Sequence, residues 1–259
     1  MSTVDILTVG SGSLVGFALG LLGGGGSILA VPLLVYVVGM RSPHMAIGTS
    51  ALAVSANAFA NLISHSRAGN VKWPCAAVFA ISGIAGAAAG ATLGKMVDGQ
   101  RLLFLFGLVM IAVAAAMLRP RRTEGDPSVR INPSIAIRLV VTGLIVGLVS
   151  GFFGIGGGFL IVPAIMLGSG MATLNAVGSS LLSVGAFGLT TAVSYASAGL
   201  VDWHVAALFV AGGVAGGLLG VFLAGRLAAQ KSTLTRIFAV AVLAVAAFIL
   251  WKSMPALFA

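Results

Sequence analysis

Charge is what this chain has least of: 7% of its 259 residues are Asp, Glu, Lys or Arg, against roughly 25% in soluble domains. A soluble globular fold is thereby excluded. The charge-free stretches run 6–40, 42–66, 73–94, 102–118, 139–201, 203–225 and 237–251, and a helix needs about 20 apolar residues to cross a bilayer. The run 139–201 is long enough to cross more than once. Ten-residue segments of alternating polarity are missing, which excludes an outer-membrane barrel. A single cysteine, Cys75, rules out an intrachain disulfide and a Cys-based metal site. Three scattered histidines do not make a ligand cluster either. No acid or base lies in the middle of an apolar run, so a proton relay or salt-bridged gate has no obvious residues. Nor is there a nucleophile with a base and an orienting group. The expectation is a non-enzyme without a cofactor. Asp5, with no basic residue, precedes the first apolar segment, so the basic n-region of a signal peptide is missing and the chain reads as mature protein.

What is present is a polytopic all-α membrane bundle. The 14 Lys and Arg, which give a formal charge of +9, lie almost entirely between the apolar runs. They read as topology signals rather than as a nucleic-acid surface.

The chain also repeats itself. Gly16, Gly20, Gly23, Gly25, Gly26, Leu29, Val31 and Pro32 recur as Gly147, Gly151, Gly154, Gly156, Gly157, Leu160, Val162 and Pro163, a shift of 131. After a one-residue deletion the shift is 130: Ala46, Gly48, Ser50 and Leu52 match Ala176, Gly178, Ser180 and Leu182. Ala68, Gly69, Val71 and Trp73 likewise match Ala198, Gly199, Val201 and Trp203. Between the copies lies the one strongly polar stretch, from Arg119 to Pro127. We therefore divide the chain into a membrane repeat at 1–118, a cytoplasmic linker at 119–134 and a second membrane repeat at 135–259.

Each repeat reads as five helical pieces, at 5–22, 27–39, 45–66, 73–97 and 101–118, then 135–153, 159–168, 174–198, 203–225 and 233–251. With an odd number of side-changing pieces per repeat and a cytoplasmic linker, 10 of the 14 basic residues lie inside; with an even number, 8 do. The positive-inside rule favours the first, which makes the repeats inverted.

Two glycine clusters, Gly23 to Ser27 and Gly154 to Gly158, interrupt the apolar zone. Each glycine costs about 1 kcal/mol in helix propensity relative to Ala, so the helices are expected to break there. Broken helices at matching positions of two repeats point to a substrate site, whereas isolated glycines such as Gly83, Gly86, Gly90, Gly213, Gly216, Gly217 and Gly220 read as close helix packing. In the third piece, Ser50, Asn57, Asn61 and His65 fall within an arc of about 100°. Their matches are Ser180, Phe187, Thr191 and Tyr195. Helices starting just after Gly26 and Gly158 would present two N-termini, each with about half a positive charge, to an anion. The candidate substrate-binding set is Gly25, Gly26, Ser27, Ser50, Asn57, Asn61, Gly156, Gly157, Gly158, Ser180 and Thr191. His65 reads as interfacial, and His44 and His204 as loop residues without a role.

The duplicated Gly-rich break with a following Val-Pro, then Ala-x-Gly-Thr/Ser-Ser, then Ala-Gly before a Trp, resembles the TauE/SafE family of sulfite and organosulfur-anion carriers, from about Gly16 to Trp251. The resemblance implies a multi-pass permease of the prokaryotic inner membrane that moves a small sulfur-containing anion such as sulfite, a sulfonate or sulfoacetate. Gly24 against Ile155 and Ser27 against Gly158 make the two half-sites chemically unequal. Export is the expected direction; a passive channel and a non-transporting accessory subunit are the alternatives. The expected partners are the organosulfur anion and the lipid bilayer, with a homo-oligomer left open and nucleic acid excluded.

Overall fold

The computed structural model describes residues 2–118, 125–126, 128–154, 156, 158–226 and 231–254. They are helical almost throughout: α1 (Thr3–Leu22), a 3-10 segment (Gly23–Leu29) continued by α2 (Ala30–Pro32) and a π turn (Leu33–Val37), α3 (Pro43–Arg67), α4 (Trp73–Met96), α5 (Gly99–Leu118), α6 (Pro133–Phe153), α7 (Gly158–Ser169), α8 (Thr173–Ala196), α9 (Trp203–Arg226) and α10 (Lys231–Ser253). Seven of them are long and apolar enough to cross a membrane. Among the described residues the sole β pairing is an isolated bridge from Asp126, between α5 and α6, to Met171.

Local chemistry sets several boundaries. The Ser42 hydroxyl accepts from the Met45 N–H and the Asn132 side chain from the Ile135 N–H, each followed by a proline at the first helical position. Such a proline loses no helical hydrogen bond, because the first N–H groups have no partner in any case. His44 and His204 lie in the first turns of α3 and α9 rather than in loops, since Pro43 starts α3 ahead of the expected boundary at 45 and Trp203 starts α9 just before His204.

Helix directions follow from which backbones meet. A Cβ on Gly12, Gly16 or Gly20 of α1 would strike the backbone of Phe209, Gly213 or Gly217 in α9, so these two helices run parallel. Gly143, Gly147 and Gly151 of α6 meet Phe79, Gly83 and Ala87 of α4 in the same way. These seams bear out the packing reading of the isolated glycines: without a hydrophobic drive between helices in lipid, small residues gain contact by letting backbones approach. By contrast, Gly48 of α3 abuts Tyr195 near the end of α8, and Ser55 at its middle donates to the Gly185 carbonyl at 2.7 Å, so α3 and α8 are antiparallel. These two helices are homologous. An antiparallel pair of homologous helices puts the pseudo-two-fold axis in the membrane plane, which is the inverted arrangement.

The antiparallel pair forms the centre. Of the most apolar stretch, 72% is buried in both α3 and α8, against 33% in α6. Around it, Ile81, Met96, Ile137, Leu167, Leu218 and Phe222 point outward, as a lipid-facing shell requires. Trp73, Trp203 and Trp251 sit exposed at helix ends, where an amphipathic ring suits the headgroup level.

Candidate functional site

The second-repeat break is a true interruption. Gly154 ends α6 with φ at 67°, Gly156 follows with φ at 63°, and α7 begins at Gly158. Positive φ is costly for any residue with a Cβ. Gly154 lies over the Ile47 side chain, and a Cβ on Gly156 would come 3.3 Å from Val54 and 3.4 Å from the Val184 carbonyl. Val54 and Val184 are themselves matched positions, next to the Ser55–Gly185 crossing. The break therefore lies deep in the bundle, between the central helices. Gly157 falls outside the described residues.

The first-repeat break takes another form. Gly23–Leu29 stays helical as a tight 3-10 segment, and α-helix resumes only at Ala30 for three residues. The expected helix start just after Gly26 is thus corrected, and the pair of facing N-termini reduces to one, at α7. A glycine run penalises the α-helix against every alternative, and the 3-10 helix is the alternative that keeps backbone groups paired where water is absent. Gly26 is pressed on the backbone of Ala18 and Leu19, so its missing side chain serves the fold-back of the chain on α1. Gly25 lies within the 3-10 segment and Ser27 is buried there. This segment packs on α7 and α8, which brings the two broken pieces together.

The polar residues of α3 and α8 are buried. Ser50 and Ser180 make the same bond in each repeat, donating to the Ile47 carbonyl at 2.9 Å and to the Val177 carbonyl at 2.8 Å. The Asn61 amide donates to the Asn57 carbonyl at 3.0 Å and rests on Gly217, while the Asn57 amide rests on Gly213. Both polar atoms of the Asn57 side chain lack a hydrogen-bond partner, as do the buried hydroxyls of Thr191, Ser150 and Ser183. Phe187, the match of Asn57, instead stacks on Phe79, with ring centres 6.1 Å apart. The candidate set is thus divided. Gly156 meets the Val54 edge of α3, whereas Asn57 and Asn61 meet the α9 glycines one edge further round.

Sequence reasoning assigned no role to Thr49 and Ser179. The Asp202 N–H donates to the Thr49 hydroxyl and the Lys72 N–H to the Ser179 hydroxyl, both at 2.9 Å. Gly48 accommodates the Leu200 carbonyl and Gly178 the Asn70 carbonyl. Each Ala-x-Gly-Thr/Ser-Ser motif therefore docks on the Ala-Gly loop of the other repeat, where Gly69 and Gly199 take φ values of 73° and 71°. The duplication of both motifs at one shift was the available signal. Ser150 gave none, because its match is Leu19. Among the described residues, no three His, Cys, Asp or Glu side chains come together.

Comparison with known proteins agrees with this architecture. The family described as "Sulfite exporter TauE/SafE" matches residues 8–249. The chain belongs to the TauE/SafE family. A relative from Xylella fastidiosa, named "Probable membrane transporter protein", is 54% identical over 98% of each chain. One from Bacillus subtilis, "Probable membrane transporter protein YunE", is 28% identical over 83% of this chain and 86% of its own. No solved structure matches. Membership, the relatives and the seven apolar helices make this TauE/SafE protein a multi-pass membrane transporter of a bacterial membrane.

Proposed function

We propose that the protein is a secondary carrier of a small sulfur-containing anion such as sulfite, a sulfonate or sulfoacetate, and that it works as an exporter. The observation that carries the reading is the occurrence of buried polar atoms without protein partners, on Asn57, Thr191, Ser150 and Ser183, in a bundle whose α6 and α7 are separated by a glycine break next to the central helices. Unpaired polar groups are costly in a membrane interior unless a cavity or a ligand satisfies them. Amide and hydroxyl donors, together with the helix N-terminus at the start of α7, suit an oxyanion without needing Lys or Arg. The description of the matched family supports sulfite or a related anion as the class of substrate.

Direction rests on the membrane potential. Moving one negative charge out of a cell with a negative interior is favoured by about 2.3 kcal/mol per 100 mV, and the middle of the spans holds no carboxylate to carry a coupling proton or cation. The test is flux of radiolabelled sulfite, thiosulfate and sulfoacetate in liposomes holding this chain alone. Saturable flux with trans-stimulation is expected. Linear, unsaturable flux would indicate a channel, and no flux an accessory role. Uptake accelerated by an inside-negative potential would contradict export.

A further inference from the structure

A cluster of polar groups gathers where α8 ends, at the membrane face that holds the chain's N-terminus. Tyr195, in the last turn of α8, is fully buried and its hydroxyl has no hydrogen-bond partner. Lys95, in the last turn of α4, donates from Nζ to the Ser194 carbonyl at 2.9 Å and lies 5.9 Å from the centre of the Tyr195 ring. His44, in the first turn of α3, has its ring centre 6.2 Å from that of Tyr195, and its Nδ1 is buried without a partner.

Among the described residues no carboxylate is paired with Lys95. An ammonium carries three donors, and Ser194 takes one. The cluster thus holds a half-buried cation over the Tyr195 ring and a buried hydroxyl, neither of them matched by a carboxylate among the described residues. One turn before Tyr195, on the same side of α8, lies Thr191, whose hydroxyl is also buried and unpartnered. Two unused hydroxyls thus lie one turn apart on α8, the outer one on the ring that the lysine overlies. The opposite face has no counterpart, since the matches of His44, Lys95 and Tyr195 are Leu174, Gly225 and His65.

We propose that Lys95, Tyr195 and His44 form a second subsite for a small oxyanion, at the end of the α8 polar stripe and separate from the helix break. The proposal rests on the anion-carrier reading and deepens it: the subsite takes the anion as it passes between the membrane interior and the face that the positive-inside count places outside. Burial of the Tyr195 hydroxyl fits a small free anion better than a lipid phosphate, which stays at the headgroup level.

Equilibrium binding of radiolabelled sulfite to the full chain in phospholipid-free detergent tests this. A charged hydrogen bond is worth about 1.5–3 kcal/mol, so Lys95→Gln and Tyr195→Phe should each weaken binding about tenfold or more, while Arg41→Gln, an exposed charge on the same face, should not. Added phosphatidylglycerol should leave the parent's affinity unchanged. Parent-like binding in both monodisperse variants would overturn the subsite and leave the carrier reading standing. So would an equal loss in Arg41→Gln, which would mark a general surface potential, or displacement of sulfite by the lipid. A parent that transports none of the tested anions would overturn the carrier reading and the subsite with it.

Discussion

Asn57 and Phe187 occupy matched positions on the two central helices and do opposite things. Phe187 fills its place against Gly83 and Phe79, as a core residue should. Asn57 holds an amide against Gly213 with neither polar atom hydrogen-bonded. An unpaired buried amide costs about 1–3 kcal/mol, so a residue retained only for stability would not be polar here. Asn57→Leu, close in volume, should raise the midpoint of thermal unfolding in detergent or leave it unchanged, and should abolish sulfite transport. A clear fall in the midpoint would show that Asn57 has a structural partner and is not held open for a ligand. That Asn57 and Asn61 share a buried stripe was legible from their spacing of four. Which neighbour they face was not, because a helical wheel gives the side of a helix and not what packs on it.

At the scale of elements, the pieces read from apolar runs and from Gly, Pro and Trp agree with the observed helices to within about two residues at most ends. The exception is the first break. Four glycines in succession say that a regular α-helix is disfavoured, but not which backbone replaces it, and the fold-back on Ala18 and Leu19 selects the 3-10 form. The motif docking was half legible: the shift of 130 showed that Thr49 and Ser179 are equivalent, while only the antiparallel crossing of α3 and α8 brings each to the other repeat's loop. The two docks lie at opposite ends of the central pair and share no partner, so their effects should add within about 0.5 kcal/mol. Thr49→Val and Ser179→Ala should each destabilise by about 1 kcal/mol, with the double variant near the sum in chemical unfolding. Strong coupling between them would mean that the two faces do not open independently.

For the whole molecule, the inverted arrangement was legible in the unequal placement of Lys and Arg, because topology follows basic residues and little else. The contents of the centre were less so: the two breaks differ, and the buried polar atoms left without partners differ between the repeats, with Asn57 and His44 in the first and Ser150, Ser183, Thr191, Tyr195 and Ser253 in the second. On the carrier reading the anion binds deep in the membrane, with the Gly154–Gly158 break and the Asn57–Asn61 edge of α3 each contributing to its path. The most direct test is sulfite binding to Gly25→Leu, Gly156→Leu and Asn61→Leu variants that remain monodisperse in detergent. Leucine at Gly156 meets both a positive φ and the Val54–Val184 contact, whereas Asn61→Leu changes only the polarity of a residue of similar size, so the pair separates a distorted break from a lost donor. Gly156→Leu and Asn61→Leu are expected to lose binding by tenfold or more; parent-like binding in all three would contradict a deep anion site and leave the glycines as packing residues alone.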